Sequence, residues 1–400
     1  MSQKKLFLLD ALALIYRAYY ALIRNPRITS TGLNTNAQFG FTNTLFDLLN
    51  KEKPTHLAVC FDTHAPTERH TNFEAYKANR QEAPEDLLAS IPAIQEIIKG
   101  FNLPVIECDG YEADDIIGTL AWQAADMGYE VYMVTPDKDY GQLLTKPNVF
   151  IYKPPAFGNK EEILDAAKVC ARWDIAKIEQ VVDMLGLMGD AVDNIPGIPG
   201  VGEKTAAKLL KEYGSLENVL ANADGIKGAL GEKIRNGKES AIISKQLATI
   251  ITQVPVQFHE EDFAVKPVNT EVLAKLFTDL EFKTLGKRIL GNSFSLLQPA
   301  AEPQGSQIDL FAPASEPTTN PTPVSTTTET DNNEESAALV VDKDINNTPH
   351  QYHLIDTPEK ITELVNNLLQ AKEICIDTET TNVNANEAEL VGVSFCEQSG

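Results

Sequence analysis

Residues 109–118 read DGYEADDIIG and set Glu112, Asp114 and Asp115 within four positions, directly ahead of Ile116, Ile117 and Leu120. Carboxylates repel one another, and burying several without a partner is costly. Further acids recur in comparable settings. Asp10 closes KLFLLD, Asp62 closes HLAVCFD, Asp137 and Asp139 flank a lysine in DKD, and Asp190 and Asp193 stand three apart in GDAVDNIPG. In an extended DKD segment both acids point the same way. Residues three apart, such as Asp190 and Asp193 or Glu112 and Asp115, share one face of a helical turn. No soft ligand accompanies the set: histidines are few, and the five cysteines are scattered without a CxxC. An all-oxygen donor set suits Mg²⁺ or Mn²⁺, and these acids exceed what one ion needs, so two or more ions are expected. Two neighbouring divalent ions activate a water and stabilise the leaving oxygen in phosphoryl chemistry, which points to phosphodiester hydrolysis. Local explanations compete. Glu112, Asp114 and Asp115 would also suit a helix N-terminus through its dipole, a strand-terminal Asp would suit an N-cap, and Asp190 and Asp193 a solvated face. Capping accounts for each acid singly but not for their recurrence at equivalent strand ends.

The elements that must gather these acids follow from hydrophobic pattern. Between residues 1 and 150, short apolar runs alternate with helical periodicity. Strands are expected at KLFLLD, HLAVCFD, LPVIEC, EVYMVTPD and NVFIY, with helices over 12–23, 37–50, 85–99 and 113–127. That alternation implies a parallel sheet covered on both faces. Three of the strands end on Asp, and in open parallel sheets sites lie beyond the carboxyl ends of strands. Residues 160–297 are mostly helical in pattern.

Two stretches carry phosphate-binding chemistry. In IPGVGEKTAAKLLKEYG, Gly200 and Gly202 let backbone approach a phosphate, and the N–H groups opening the next helix bind the anion. Lys204 and Lys208 then share a face, giving recognition of a nucleic-acid backbone without regard to sequence. The alternative is an ordinary Gly-Pro turn before a helix. In RHTNFEAYKANR, Arg69, Tyr76, Lys77 and Arg80 interleave charge with an aromatic ring, which suits phosphate contact and base stacking. A solvated helix face is the alternative. Tyr16 and Arg17 follow Asp10 and could face the same cleft, although Tyr16 suits the core equally.

Charge is uneven along the 400 residues. The net is −23, but residues 1–297 hold 31 basic and 39 acidic side chains, against 3 and 18 in residues 298–400. Bound divalent ions would offset much of the excess in the first part, so net charge is a poor guide to partners. The opening MSQKKLFLLDALALIYRAYYALI mimics a signal peptide, but Asp10 interrupts its apolar run and no cleavage-like site follows. No stretch is long enough to span a bilayer. A cytoplasmic protein with reduced thiols and no membrane partner is expected. Four regions are expected: an α/β catalytic domain over 1–175, a helical DNA-binding region over 176–297, a disordered Pro/Thr/Ser-rich linker over 298–350, and the start of another domain over 351–400.

FDTHAPTERH…YKANR, GYEADDIIGTLA, VTPDKDYGQLL and GLMGDAVDNIPGIPGVGEKTAAKLL together resemble, in order and spacing, the flap endonuclease-like 5′-nuclease domain of the bacterial DNA polymerase I family. The resemblance covers roughly residues 1–295. It implies an α/β, PIN-like fold with a parallel central sheet, helices on both faces and a helical arch over the active site, followed by a helix-hairpin-helix region. It implies Mg²⁺-dependent 5′-3′ exonuclease and flap endonuclease activity by a two-metal mechanism. Asp10, Asp62, Glu112, Asp114, Asp115, Asp137, Asp139, Asp190 and Asp193 become the metal ligands. Arg69, Tyr76, Lys77 and Arg80 fall at the arch and, with Arg17, orient the phosphate. DNA with 5′ flaps, nicks or RNA-primed ends is the implied partner of a monomer, and a monovalent ion is implied at the helix-hairpin-helix. One departure is Ala11, where the family commonly has Gly.

CIDTET, residues 375–380, resembles the first motif of the RNase H-like 3′-5′ exonuclease domain, with Asp377 and Glu379 as an incomplete metal site. The chain is therefore expected to be the front part of a longer protein acting in primer removal, gap filling and repair, and not itself to proofread or polymerise. QIDLF, with Gln307, Leu310 and Phe311, resembles the Q-x-x-L-F ligands of bacterial sliding clamps; the alternative is a remnant that packs on its own nuclease domain. The alternative to a nuclease is a catalytically idle DNA-binding module that anchors a polymerase.

Overall fold

KLFLLD is apolar throughout because both of its faces are covered. Strand β1 (Lys5–Asp10) sends Leu6 and Leu8 into one core and Phe7 and Leu9 into another, all four fully buried. The computed structural model describes residues 3–63, 65–80, 82–155, 160–292, 294, 353–355, 357–371, 374–380 and 390–396. They fall into two units, Met1–Ser306 and Gln307–Gly400.

In the first unit β1 is followed by β2 (His56–Cys60), β3 (Val105–Ile106), β4 (Glu130–Val134), β5 (Val149–Lys153) and β6 (Glu162–Leu164), in the order β3-β2-β1-β4-β5-β6. The first five are parallel. β6 breaks the expected all-parallel sheet by pairing antiparallel with β5, Lys153 opposite Glu162. The chain steps outward from β1 through β2 to β3 and then returns to β4 on the other side. That reversal opens a crevice at the carboxyl ends of β1 and β4, where ligands of such sheets bind.

Helices α1 (Ala11–Ala21), α2 (Asn36–Glu52), α3 (Glu68–Asn72), α4 (Glu85–Gly100) and α5 (Ala113–Asp126) lie between these strands. Their bounds fall within two residues of the periodicity-based expectation wherever one existed. After β6 come α6 (Ala166–Trp173), α7 (Gln180–Met188), α8 (Glu203–Tyr213), α9 (Leu216–Ala221), α10 (Gly228–Asn236), α11 (Lys238–Ala248), α12 (Glu260–Phe263), α13 (Thr270–Asp279) and α14 (Lys283–Leu290). One face of the sheet packs on α1, α2, α4, α13 and α14, the other on α5 and the helices from α7 to α11. Ile116, Ile117 and Leu120 of α5 are fully buried, each contributing on the order of 2 kcal/mol, and this anchors the helix whose first turn carries the crowded acids.

An extended strap, residues 250–258, ties α11 back to the α/β part. A polar stripe along α5 holds it. The Asp115 carboxylate accepts from the Ile251 N–H (2.7 Å), Thr119 Oγ1 accepts from Val254 (3.1 Å), and Gln123 both accepts from Phe258 (2.8 Å) and donates to the Val256 carbonyl (2.9 Å). Positions 115, 119 and 123 recur every four residues, so one helix face satisfies backbone that has no sheet neighbour.

In the second unit α15 (Pro358–Leu368) starts on a Thr357 N-cap with proline in its first turn. β7 (Cys375–Thr380) and β8 (Leu390–Cys396) pair antiparallel, Asp377 opposite Ser394. The side chains of Asp377 and Glu379 lie outside what the structure describes, as do the expected linker and the QIDLF segment. No helix among the described residues is long and apolar enough to cross a membrane.

Candidate active site

The acids meet at the carboxyl edge of the sheet. Asp10 ends β1 and caps α1, accepting from the Ala13 N–H (3.2 Å). Asp62 and Asp137 lie beyond the ends of β2 and β4, because those strands stop at Cys60 and Val134, sooner than their apolar runs suggest. Asp62 accepts from the Ala113 N–H (3.0 Å), so it steadies the start of α5. DKD is not extended. The Asp139 N–H turns back onto Asp137 Oδ1 (2.9 Å), and Asp139 opens a 3-10 helix, Asp139–Leu143.

Asp190 and Asp193 do not share a helical turn either. They sit in a tight loop closed by an antiparallel bridge between Asp190 and Ile195. Gly189 and Gly197 take positive φ here, and a Cβ on either would collide with the other side of the loop. Helix α11 clamps the crossing: Ser244 Oγ accepts from the Gly197 N–H (2.8 Å) and Ser240 Oγ donates to the Gly197 carbonyl (2.6 Å).

The electrostatics express the crowding. Burial, then Asp62 beside it, pushes the Asp10 carboxyl up to about 6. Desolvation and the adjacent Asp115 raise Asp114 well above the ordinary range. Desolvation, Asp137 and Asp190 do the same to Asp139. Asp137 is exposed at the rim yet hemmed in by protein, and this desolvation, with Asp193 and Asp190 near it, raises its carboxyl too. The Tyr140 phenol is driven well above its usual value by burial and then by Asp10, Asp114, Asp137 and Asp62, so acids from four separate stretches act on one hydroxyl.

Cations of the chain fill part of this field. The Lys77 ammonium lies 2.9 Å from Glu112 Oε1, and Arg80 pairs with Asp193. Burial works against the Glu112 carboxylate, but Lys77 and Arg69 hold it below the ordinary range. Lys138 pairs with Asp190 at 2.8 Å. Lys77 adopts φ +58°, a conformation costly for a side chain, while its N–H bonds the Asp193 carbonyl (3.0 Å). Asn79 donates to the Ala191 carbonyl and Asn194 to the Ala75 carbonyl, so residues 75–80 lie down on the acidic loop.

This corrects the expected helical arch, which is here the five-residue α3 followed by turns. It also corrects two roles. Arg69, expected at phosphate, is 6% exposed and donates to both oxygens of Asp115 (2.7 and 2.8 Å), to Glu112 (3.2 Å) and to the carbonyls of Leu247 and Thr249. Tyr76, expected to stack on a base, is buried with its hydroxyl on Glu112 (3.0 Å). Arg17 donates to the Pro155 carbonyl beyond β5. Asp115 itself is fully buried and accepts four bonds: two from Arg69, one from Ile251 and one from its partner in the α5 capping box, the Glu112 N–H (3.2 Å). A carboxylate has about four acceptor sites, so Asp115 has none left for an ion and leaves the expected ligand set.

As placed, no three His, Cys, Asp or Glu side chains among the described residues are gathered tightly enough to close on one ion. The donor set nevertheless fits hard divalent cations. Its members are oxygens, burial and then neighbouring acids raise the Asp10, Asp114, Asp137 and Asp139 carboxyls, and Asp139 Oδ1 is buried without a hydrogen-bond partner.

Beside the acids, the same loop runs on into the glycine turn. Gly200 adopts φ +78°, and Gly202 caps α8, whose own bonding begins with the Thr205 and Ala206 N–H groups returning to the Gly202 carbonyl. Lys204 and Lys208 are exposed on α8. Sequence reading overlooked Lys233, whose ammonium reaches the Gly200 carbonyl (3.3 Å) from α10, and Tyr140 and Thr135, whose hydroxyls reach Asp10. For Tyr140 the signal was a hydroxylated ring inside the acidic motif DKDYGQ.

A family model described as 5′-3′ exonuclease, N-terminal resolvase-like domain matches residues 5–174, and one described as 5′-3′ exonuclease, C-terminal SAM fold matches residues 176–271. A DNA polymerase I of Caldicellulosiruptor bescii is 41% identical over 287 residues, covering 71% of this chain and 33% of that protein. The DNA polymerase I of Bacillus subtilis is 42% identical over 291 residues, covering 72% and 32%. The chain thus spans about a third of the length of the curated relatives it matches. Among solved structures, a T5 5′-exonuclease with bound zinc has a similar fold: TM-score 0.53, 19% identity, covering 70% of this chain and 99% of that one.

Proposed function

The chain belongs to the 5′-3′ exonuclease family, and from that premise we propose that it hydrolyses phosphodiester bonds at 5′ ends and 5′ flaps of DNA with two or more divalent ions, Mg²⁺ foremost. The observation that carries this reading is the convergence of acids from separate stretches on one crevice, read out by the Tyr140 phenol. Asp10, Asp62, Glu112, Asp114, Asp137, Asp139, Asp190 and Asp193 would hold the ions. When bound, the ions supply Lewis-acid stabilisation of the charge that develops on the phosphate and the departing oxygen.

The chain's own groups do the rest. Lys77 and Arg80, now on Glu112 and Asp193, are, with Lys138 on Asp190, cations placed to meet a phosphate entering the crevice, exchanging an acid for it. Asp115 and Arg69 act as a buttress under α5. The turn at Gly200 and Gly202, with Lys204, Lys208 and Lys233, holds the duplex backbone without reading bases. A monovalent ion would sit against the carbonyls of that turn.

The relatives' names support a place within a DNA polymerase I, and we propose that the chain acts there on flaps, nicks and RNA-primed ends in primer removal, gap filling and repair. We place the protein in the cytoplasm as a monomer, with a sliding clamp as the partner of Gln307, Leu310 and Phe311. A peptide spanning 300–315 should bind the clamp and lose binding when Leu310 and Phe311 become Ala.

The central test is cleavage of a 5′-flap substrate. Mg²⁺ should support release of the flap and a chelator should stop it. Asp114→Asn should lower the rate by orders of magnitude with DNA affinity kept. A chain that binds the flap but never cuts it with Mg²⁺ or Mn²⁺ would be a DNA-holding module instead.

A further inference from the structure

Asp10 is constrained on both carboxylate oxygens. Oδ1 accepts from the Ala13 N–H (3.2 Å), while Oδ2 accepts from the Thr135 hydroxyl (3.0 Å) and the Tyr140 phenol (3.2 Å). Thr135 has no choice of direction. Its Oγ1 accepts the Asp137 N–H (3.2 Å), so its one proton goes to Asp10. Tyr140 is 1% exposed and Thr135 fully buried. A buried phenol usually finds a partner, and the partner of this one is the Asp10 carboxylate.

Each carboxylate oxygen offers two acceptor directions. Oδ2 uses both on Thr135 and Tyr140, and Oδ1 uses one on Ala13, which leaves a single direction on Oδ1. We propose that Thr135 and Tyr140 are positioning residues that make Asp10 a one-oxygen metal ligand, locking the carboxylate plane and presenting Oδ1 alone to the ion. They also set spacing. Thr135 holds the backbone of Asp137, and Tyr140 follows Asp139 in the same 3-10 helix, so one hydroxyl pair registers three acids against one another. Outer partners of this kind orient ligands and tune the affinity of a metal site.

The inference rests on Asp10 being a ligand, and the experiment separates the two. Mn²⁺ affinity of the whole chain is measured by electron paramagnetic resonance for wild type, Asp10→Ala, Tyr140→Phe, Thr135→Val and Thr135→Ser, with melting in chelator alongside. Tyr140→Phe and Thr135→Val should each weaken Mn²⁺ by about ten-fold, and at least roughly three-fold, with melting in chelator little changed. Thr135→Ser should keep the hydroxyl and the wild-type affinity. A smaller loss in Tyr140→Phe, or a loss matched by a collapse of stability in chelator, overturns the positioning role while Asp10→Ala still abolishes binding. Unchanged Mn²⁺ affinity in Asp10→Ala overturns the ligand assignment and this inference with it.

Discussion

Asp114 and Asp115 are adjacent and chemically identical, yet the fold gives them opposite work. Asp115 is saturated by Arg69, Ile251 and Glu112, whereas Asp114 is a half-buried carboxyl raised by its surroundings. Asp115→Ala should take two of the Arg69 guanidinium's hydrogen bonds, leaving it Glu112 and two carbonyls, and cost about 3 kcal/mol, seen as a fall in denaturation midpoint. Asp114→Ala should abolish cleavage and leave the midpoint in chelator unchanged or raised. A second residue-scale expectation concerns pH. The Asp10 carboxyl stands near 6 in the folded protein and near 3.8 unfolded, so its ionisation disfavours the fold. That penalty, on the order of 3 kcal/mol, is absent below the unfolded value, grows as pH rises through the folded one, and is flat above. In chelator, Asp10→Asn should therefore gain stability over wild type progressively between about pH 4 and 6. Equal pH dependence of the two proteins would refute it. That acids gather here was legible from their recurrence at strand ends. Which of two neighbours serves as a buttress was not, because the answer depends on Arg69, 46 residues away, and on Ile251, 136 away.

At the scale of elements, strands and long helices were legible because burial periodicity is a local signal. The continuous apolar run of β1 and the apolar face of α5 needed no knowledge of partners. The acidic loop was misread as a helical turn because spacing alone cannot distinguish i, i+3 on a helix from a loop closed by Asp190 and Ile195. The arch was misread because residues 75–80 take their form from long-range bonds to that loop. Gly197 is where the loop is most exacting: its φ is +59° and a Cβ would meet the backbone of Gly189. Gly197→Ala should reduce DNA affinity and flap cleavage together, since both features ride on one loop, while the far-ultraviolet circular dichroism of the α/β part persists. Loss of only one of the two activities would show that the loop is not a unit.

Across the first unit, no clean seam separates the α/β part from the helical part. One core runs from β1 through α5 to α7, α8 and α11, the strap is bonded to α5 by side chains, and α13 returns to α4, where Leu273 lies against Gly100, while Arg288 of α14 bonds Asn43 and Asp47 of α2. A chain ending at residue 269 would lose Leu273, Phe277, Leu280, Phe282 and Leu285, all buried with Phe7 and Leu9, and would uncover the apolar face they cover. It should melt well below the full chain, with the full first unit unfolding in a single calorimetric transition. The expected split near residue 175 follows the sequence pattern, but the packing crosses it. One consequence lies in the loop from Gly189 to Gly202, which carries Asp190 and Asp193 at one end and the glycine turn at the other, pinned in the middle by α11. With the roles proposed for its two ends, this loop would be a built-in caliper. The gap between the phosphate held and the phosphate cut would be a fixed length of protein, so cut positions should keep a constant offset from the gripped duplex whatever the bases, a constancy that product ladders at single-nucleotide resolution would reveal.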